Sequence, residues 1–169
     1  MGALTARPNA LDRPKDGKET IPVLYESTRG EAPVLGFEDV LLKGLAADGG
    51  LYWPQSFPTL DLASLKGADY RTVAQAVMAP FVGEGVDLPG LVDRAYSSFA
   101  HREVAPLRQL GAQAWLMELY HGPTLAFKDV AMQLLGHLFD DVLDRRGGRV
   151  TVIGATSGDT GGSGTGTLD

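Results

Sequence analysis

Apolar positions recur at three- and four-residue intervals along much of the chain, the spacing of a helix with one buried face. Phe37, Val40, Leu41 and Leu45 form the first such stripe and predict a helix over residues 37–47. Glu38 and Asp39 suit its positive amino-terminal end, and Gly49 and Gly50 supply a stop. Leu51, Tyr52 and Trp53 before Pro54 predict a short extended segment, with Tyr52 and Trp53 read as core residues. Residues 55–67 read as loop, broken by Pro58 and Gly67. A second helix is predicted over 70–81, with Val73, Val77 and Phe81 on one side. A third begins at Asp87, which can cap free backbone N–H groups ahead of Pro89, and buries Leu88, Leu91, Val92, Ala95, Tyr96 and Phe99.

From Val104 the pattern changes. Residues 114–120 predict a strand, and a helix follows from Asp129 to about Arg146. Val130, Leu134, Leu138 and Val142, with Ala131, Leu135 and Phe139 beside them, give that helix a face wide enough to pack on a sheet. Arg145 and Arg146 complement its negative end, and Gly147-Gly148 closes it. Residues 149–154 then predict a β-branched strand. Strand, helix, strand is a βαβ unit with a right-handed crossover, and its loops follow the carboxyl ends of parallel strands, where open α/β sheets bind ligands.

Between the first of these strands and its helix the chain reads His121-Gly-Pro-Thr-Leu-Ala-Phe-Lys-Asp129. Gly122 and Pro123 turn it sharply, and Lys128 falls at the junction of loop and helix directly after Leu125, Ala126 and Phe127. An apolar approach disfavours the ammonium form of a lysine, and the neutral amine is the form that condenses with an aldehyde. This segment resembles the pyridoxal-lysine segment of threonine synthases. Three further stretches carry the resemblance in the same order. Tyr25-Glu-Ser-Thr-Arg-Gly30 is similar to that family's opening strand, Asp48-Gly-Gly-Leu-Tyr-Trp-Pro54 to its early turn, and Gly154-Ala-Thr-Ser-Gly-Asp-Thr-Gly161 to its substrate-binding loop.

The resemblance implies a pyridoxal-phosphate lyase of the tryptophan synthase β-like fold, α/β in class. It divides the chain into an extension over residues 1–24, an amino-terminal domain over 25–103, the start of the cofactor domain over 104–162 and a linker-like tail over 163–169. It implies that Lys128 carries pyridoxal 5'-phosphate, that Asp159 lies beside the cofactor, and that Thr156, Ser157, Gly158, Asp159 and Thr160 hold the substrate carboxylate. The activity it implies for a full-length enzyme converts O-phospho-L-homoserine and water to L-threonine and phosphate.

Threonine synthases are far longer than 169 residues, so the resemblance extends to their amino-terminal part, and this chain is expected to be inactive alone. The family's cofactor-phosphate loop and the group facing the pyridine nitrogen are expected in later sequence. The family also continues from Gly162 into an Ala-rich helix, whereas this chain continues Ser-Gly-Thr-Gly-Thr-Leu-Asp, poor helix-forming sequence. Two alternatives remain: another lyase of the same fold, such as threonine dehydratase or cysteine synthase, and a non-catalytic fragment that docks onto a complementary piece. Serine and threonine as substrates would separate the first.

Composition narrows the remaining classes. A formal net charge of -6 offers no basic face for nucleic acid. With no cysteine there is neither a disulfide framework nor a thiolate nucleophile, which fits a cytoplasmic protein. No apolar run in the first 24 residues is long enough for a signal peptide or a membrane span, and that stretch reads as a flexible arm. His101, His121 and His137 have no metal-ligand spacing and read as surface or hydrogen-bonded structural residues.

Overall fold

The computed structural model describes residues 23–151, 153–156 and 158–165. The first strand, β1 (Tyr25–Ser27), pairs antiparallel with β2 (Tyr52–Pro54), and helix α1 (Phe37–Lys43) lies between them in sequence. Helices α2 (Tyr70–Val82) and α3 (Leu88–Ser97) follow, then a hairpin of β3 (Leu107–Gly111) and β4 (Ala114–Met117), then α4 (Asp129–Arg146) and α5 (Asp159–Thr165). Most of the predicted extension lies outside the described residues. Val23 and Leu24 join the fold: Val23 is buried and donates to the Pro80 carbonyl at 3.3 Å, and Leu24 accepts from the Gln55 amide.

One aspartate links the first two family-like stretches. Asp48 Oδ1 accepts from Ser27 Oγ at 2.7 Å and from the Gly50 amide at 2.9 Å, while Oδ2 accepts from the amides of Glu31 and Ala32 at 3.0 Å each. A side chain at Gly50 would collide with the Ser27 hydroxyl, so the close approach requires glycine there. Helix α1 is shorter than the sequence predicts. Gly44 adopts φ 67° and its N–H returns to the Val40 carbonyl, ending the helix before Leu45, which lies 61% exposed in a bridge to Leu51. Gly49 and Gly50 serve the Asp48 turn instead. Nor is Trp53 a core residue: it is 53% exposed and meets the edge of Phe57 at 5.2 Å.

The core forms where α3 lies between α2 and α4. All six residues predicted for the buried face of α3 are buried there, joined by Val82, Val86, Val104, Leu134 and Leu138. Asp87 caps α3 by accepting from the Gly90 amide at 3.2 Å, and Asp69 caps α2 by accepting from Thr72 at 2.8 Å. The face α2 presents to this core is Tyr70, Ala74, Met78 and Val82. That is one position round from the predicted stripe, and Val77 is exposed. Of the predicted residues, Phe81 instead meets Phe57, and its carbonyl accepts from the Tyr25 hydroxyl of β1 at 2.9 Å.

Helix α4 ends as predicted, with Gly147 in the left-handed region and Gly148 donating to the Leu143 carbonyl at 3.0 Å. It packs on α3 rather than on a sheet, and Tyr96 reaches across to the Val130 carbonyl at 3.0 Å. Its buried face is correspondingly narrower than the sequence suggests: Ala131 is exposed and Leu135 and Phe139 are half-buried. Among the described residues of 149–154, the predicted strand is not formed. Residues 149–151 and 153–156 are in no strand, and β3–β4 is an antiparallel hairpin, so no parallel βαβ crossover is made among the described residues. A strand needs a neighbour to take its N–H and C=O groups, and β4 already gives one edge to β3. The reverse holds at the tail. Ser163–Thr165, expected as linker, complete α5, because the Thr156 hydroxyl accepts from the Gly158 and Gly161 amides and secures the first turn despite the glycines. Residues 166–169 of that tail lie outside the described residues.

Candidate active site

Strand β4 ends at Met117, short of the predicted Tyr120, and the next residue, Glu118, is buried. Glu118 is 5% exposed and accepts from Arg108 Nε at 2.5 Å, and His121 Nε2 lies 2.9 Å from its other oxygen. The His121 hydrogen bond, with those from Arg108 and Tyr120, holds the Glu118 carboxyl below its ordinary range against the opposing effect of burial. The His121 ring makes tilted contacts with Tyr120 at 4.6 Å and His101 at 5.0 Å between centroids, and its carbonyl accepts from the Ala100 amide. The beginning of the lysine segment is thereby fixed to the end of α3 and to the hairpin.

From that anchor the chain turns through Gly122 to Leu125, whose amide donates to the Gly122 carbonyl at 3.1 Å. Leu125 has φ 63°, a left-handed conformation uncommon for a side chain of its size. Lys128 then takes helical angles at the head of α4, and its carbonyl accepts from the Met132 amide at 2.9 Å. Its side chain is half-buried, with Nζ 5.7 Å from the Phe127 ring centroid. The apolar approach expected from sequence does not close over the amine, since Leu125 and Phe127 are 69% and 59% exposed. The Lys128 amine instead donates to the hydroxyl of Thr160, 32 positions further along the chain.

That contact joins two of the residues singled out in the sequence. The others are placed differently. Thr156 turns its hydroxyl onto amides of its own loop, at 2.9 Å to Gly158 and 3.1 Å to Gly161. Gly158 takes φ 133°, and Asp159, the first residue of α5, is exposed. Ser157 lies outside the described residues.

Residues 24–96 match the family described as threonine synthase N terminus. Threonine synthase from Pseudomonas aeruginosa is 55% identical over 143 residues, covering 81% of this chain and 30% of that protein. This chain matches the amino-terminal portion of a threonine synthase. The structure agrees. PLP-bound threonine synthase from Brucella melitensis superposes with a TM-score of 0.83 at 52% identity, over 86% of this chain and 33% of that one. Threonine synthase from yeast superposes at 0.77 with 38% identity, over 86% and 33%. The chain therefore spans about a third of the length of the relatives it matches. The α/β class and the threonine-synthase-like fold expected from sequence hold.

The residues present fit pyridoxal phosphate at the amine end. The partner of the Lys128 amine is a neutral hydroxyl, and among the described residues no ion pair joins a carboxylate to the nitrogen. Sequence reasoning missed three groups around this site: Glu118, Asp129 and Ser163. Each is a buried polar side chain, and only its partners, far away in sequence or across a turn, distinguish it from a solvated residue. The spacing His-x-x-x-x-x-x-x-Asp in the motif carried no such signal.

Proposed function

We propose that this chain supplies the cofactor lysine and part of the substrate loop of a pyridoxal-phosphate-dependent threonine synthase. The reading is supported by the hydrogen bond from the Lys128 amine to the Thr160 hydroxyl, which links the two motif segments. When bound, pyridoxal phosphate supplies an electron sink for chemistry at carbons next to an amino group. Lys128 would hold it covalently and, once displaced by the substrate amine, move protons at the substrate α and β carbons. The amides and hydroxyls of residues 156–160 would orient the substrate carboxylate, with Asp159 beside the cofactor ring. O-phospho-L-homoserine is the proposed substrate, and L-threonine and phosphate the proposed products, of the full-length enzyme, a carbon–oxygen lyase of threonine biosynthesis. The chain on its own is expected to be inactive.

The test is to incubate the purified chain with pyridoxal phosphate and O-phospho-L-homoserine and measure phosphate release. No release, with cofactor captured at Lys128, is the expected result. Turnover by the chain alone would contradict the expectation of inactivity, and absence of capture at Lys128 would contradict its assignment. A second reading, a non-catalytic fragment that docks onto a complementary piece, is favoured by one observation: every residue of the β3–β4 hairpin is exposed, including five large apolar ones.

A further inference from the structure

Asp129 follows the lysine directly and is fully buried at the head of α4. Its carboxylate spans the turn. Oδ2 accepts from the Thr124 amide at 2.8 Å and Oδ1 from the Thr124 hydroxyl at 2.7 Å. The approach is so close that a Cβ on Gly122 would overlap the Asp129 side chain, so glycine at 122 is a condition of the arrangement. The connection then continues out of the turn. Thr124 Oγ1 lies 3.1 Å from the hydroxyl of Ser163, which is fully buried on α5, and Gln133 Nε2 donates to the Ser163 carbonyl at 3.4 Å.

The direction of these bonds follows from the groups themselves. A carboxylate only accepts, and a hydroxyl has one hydrogen to give. Thr124 gives that hydrogen to Asp129, so in the bond between the two hydroxyls Ser163 is the donor. One carboxylate therefore orders the turn preceding Lys128 and, through Thr124, the helix that carries Thr160, the partner of the Lys128 amine. Resting on the reading of Lys128 as the cofactor-bearing amine, we propose that Asp129 is a positioning residue for Lys128. It clamps the lysine turn to α5 so that the amine and the Thr160 hydroxyl meet.

The test compares the purified chain with Asp129→Ala, Asp129→Asn and Thr124→Val. One readout is the fraction of pyridoxal phosphate captured by borohydride at Lys128 relative to Lys66. The other, independent of the cofactor, is hydrogen exchange at the amides of Thr124, Gly162 and, as a control, Leu91 in α3. Asp129→Ala should lower relative capture at Lys128 about tenfold, the loss expected for hydrogen bonds to a charged group. It should also speed exchange at Thr124 and Gly162 but not at Leu91. An asparagine can accept from the Thr124 amide and donate to its hydroxyl, so Asp129→Asn should recover most of the capture. Thr124→Val keeps the amide bond but cuts the link to Ser163, and should speed exchange at Gly162 alone. The proposal is overturned if Asp129→Ala leaves Gly162 exchange unchanged. It is overturned equally if Leu91 loses protection in parallel, since the residue would then support the fold at large, and if Asp129→Asn behaves like alanine. Should Asp129→Ala not fold, the Thr124→Val exchange pattern decides. Lack of selective capture in the unsubstituted chain would count against the lysine assignment, and the exchange pattern would still test the clamp.

Discussion

Asp48 accepts hydrogen bonds from three backbone amides and one hydroxyl, drawn from both sides of the β1–β2 connection. The Ser27 hydroxyl first, and then the Gly50, Glu31 and Ala32 amides, hold its carboxyl below the ordinary 3.8 against a smaller opposing effect of burial. A depressed folded-state value means stability that is fully present above the unfolded value and lost as pH falls through the folded one. Asp48→Asn should therefore lower the urea midpoint most near neutral pH. The gap from the unsubstituted chain should close as pH drops below 3.8, and a pH-independent gap would contradict it. In the core, Leu91 is fully buried at the centre of α3. Leu91→Ala should cost about 2–5 kcal/mol in urea unfolding, from lost burial plus the cavity left behind. Residues of this kind were readable in advance: the α3 stripe repeats cleanly at helical spacing, and every side chain in it is buried. Asp48 and Asp129 were not, because an aspartate looks the same in sequence whether its partners are water or four groups brought together by folding.

At the scale of elements, α4 is held at both ends. At its carboxyl end Glu38 of α1 receives Arg145 at 2.7 Å and Arg146 at 2.8 Å, while Asp39 receives Arg146 at 2.7 Å. These groups are partly exposed, so Glu38→Gln should cost about 1 kcal/mol or less, and high salt should shrink the difference. A loss insensitive to salt would contradict a Coulombic origin. The helices and their caps were legible because their signals are local: Asp69 and Asp87 before α2 and α3, Gly147 after α4. The errors fell where a signal had to be settled by a neighbour. Gly44 ended α1 ahead of the double glycine, the α2 face was set by which side met α3, and residues 149–154 have β-branched character but no described strand beside them. Helix α5 formed against its composition through contacts to Thr156, Thr124 and Gln133, none of which propensity can register.

Across the whole molecule, apolar surface is unevenly distributed. Leu107, Leu110, Trp115, Leu116 and Met117 of the hairpin are between 47% and 69% exposed, and the apolar residues lie on both of its faces. A strand pair with apolar side chains on both faces is the pattern of a buried sheet, and exposed it is a surface for association. Light scattering should show an apparent mass that rises with concentration, and Trp115→Lys with Leu116→Lys together should abolish the rise. A mass that stays at 17.9 kDa over the whole range would contradict this. Among the described residues no helix is long and apolar enough to cross a membrane, and no group of three acidic or histidine side chains is arranged to hold a metal ion. The most direct measurement is peptide mapping of the chain after incubation with pyridoxal phosphate and reduction with borohydride. The predicted result is a pyridoxyl group concentrated on Lys128 and lost in Lys128→Ala. Label spread evenly over Lys43, Lys66 and Lys128, or unchanged in total by that substitution, would contradict the assignment of Lys128 as the cofactor lysine.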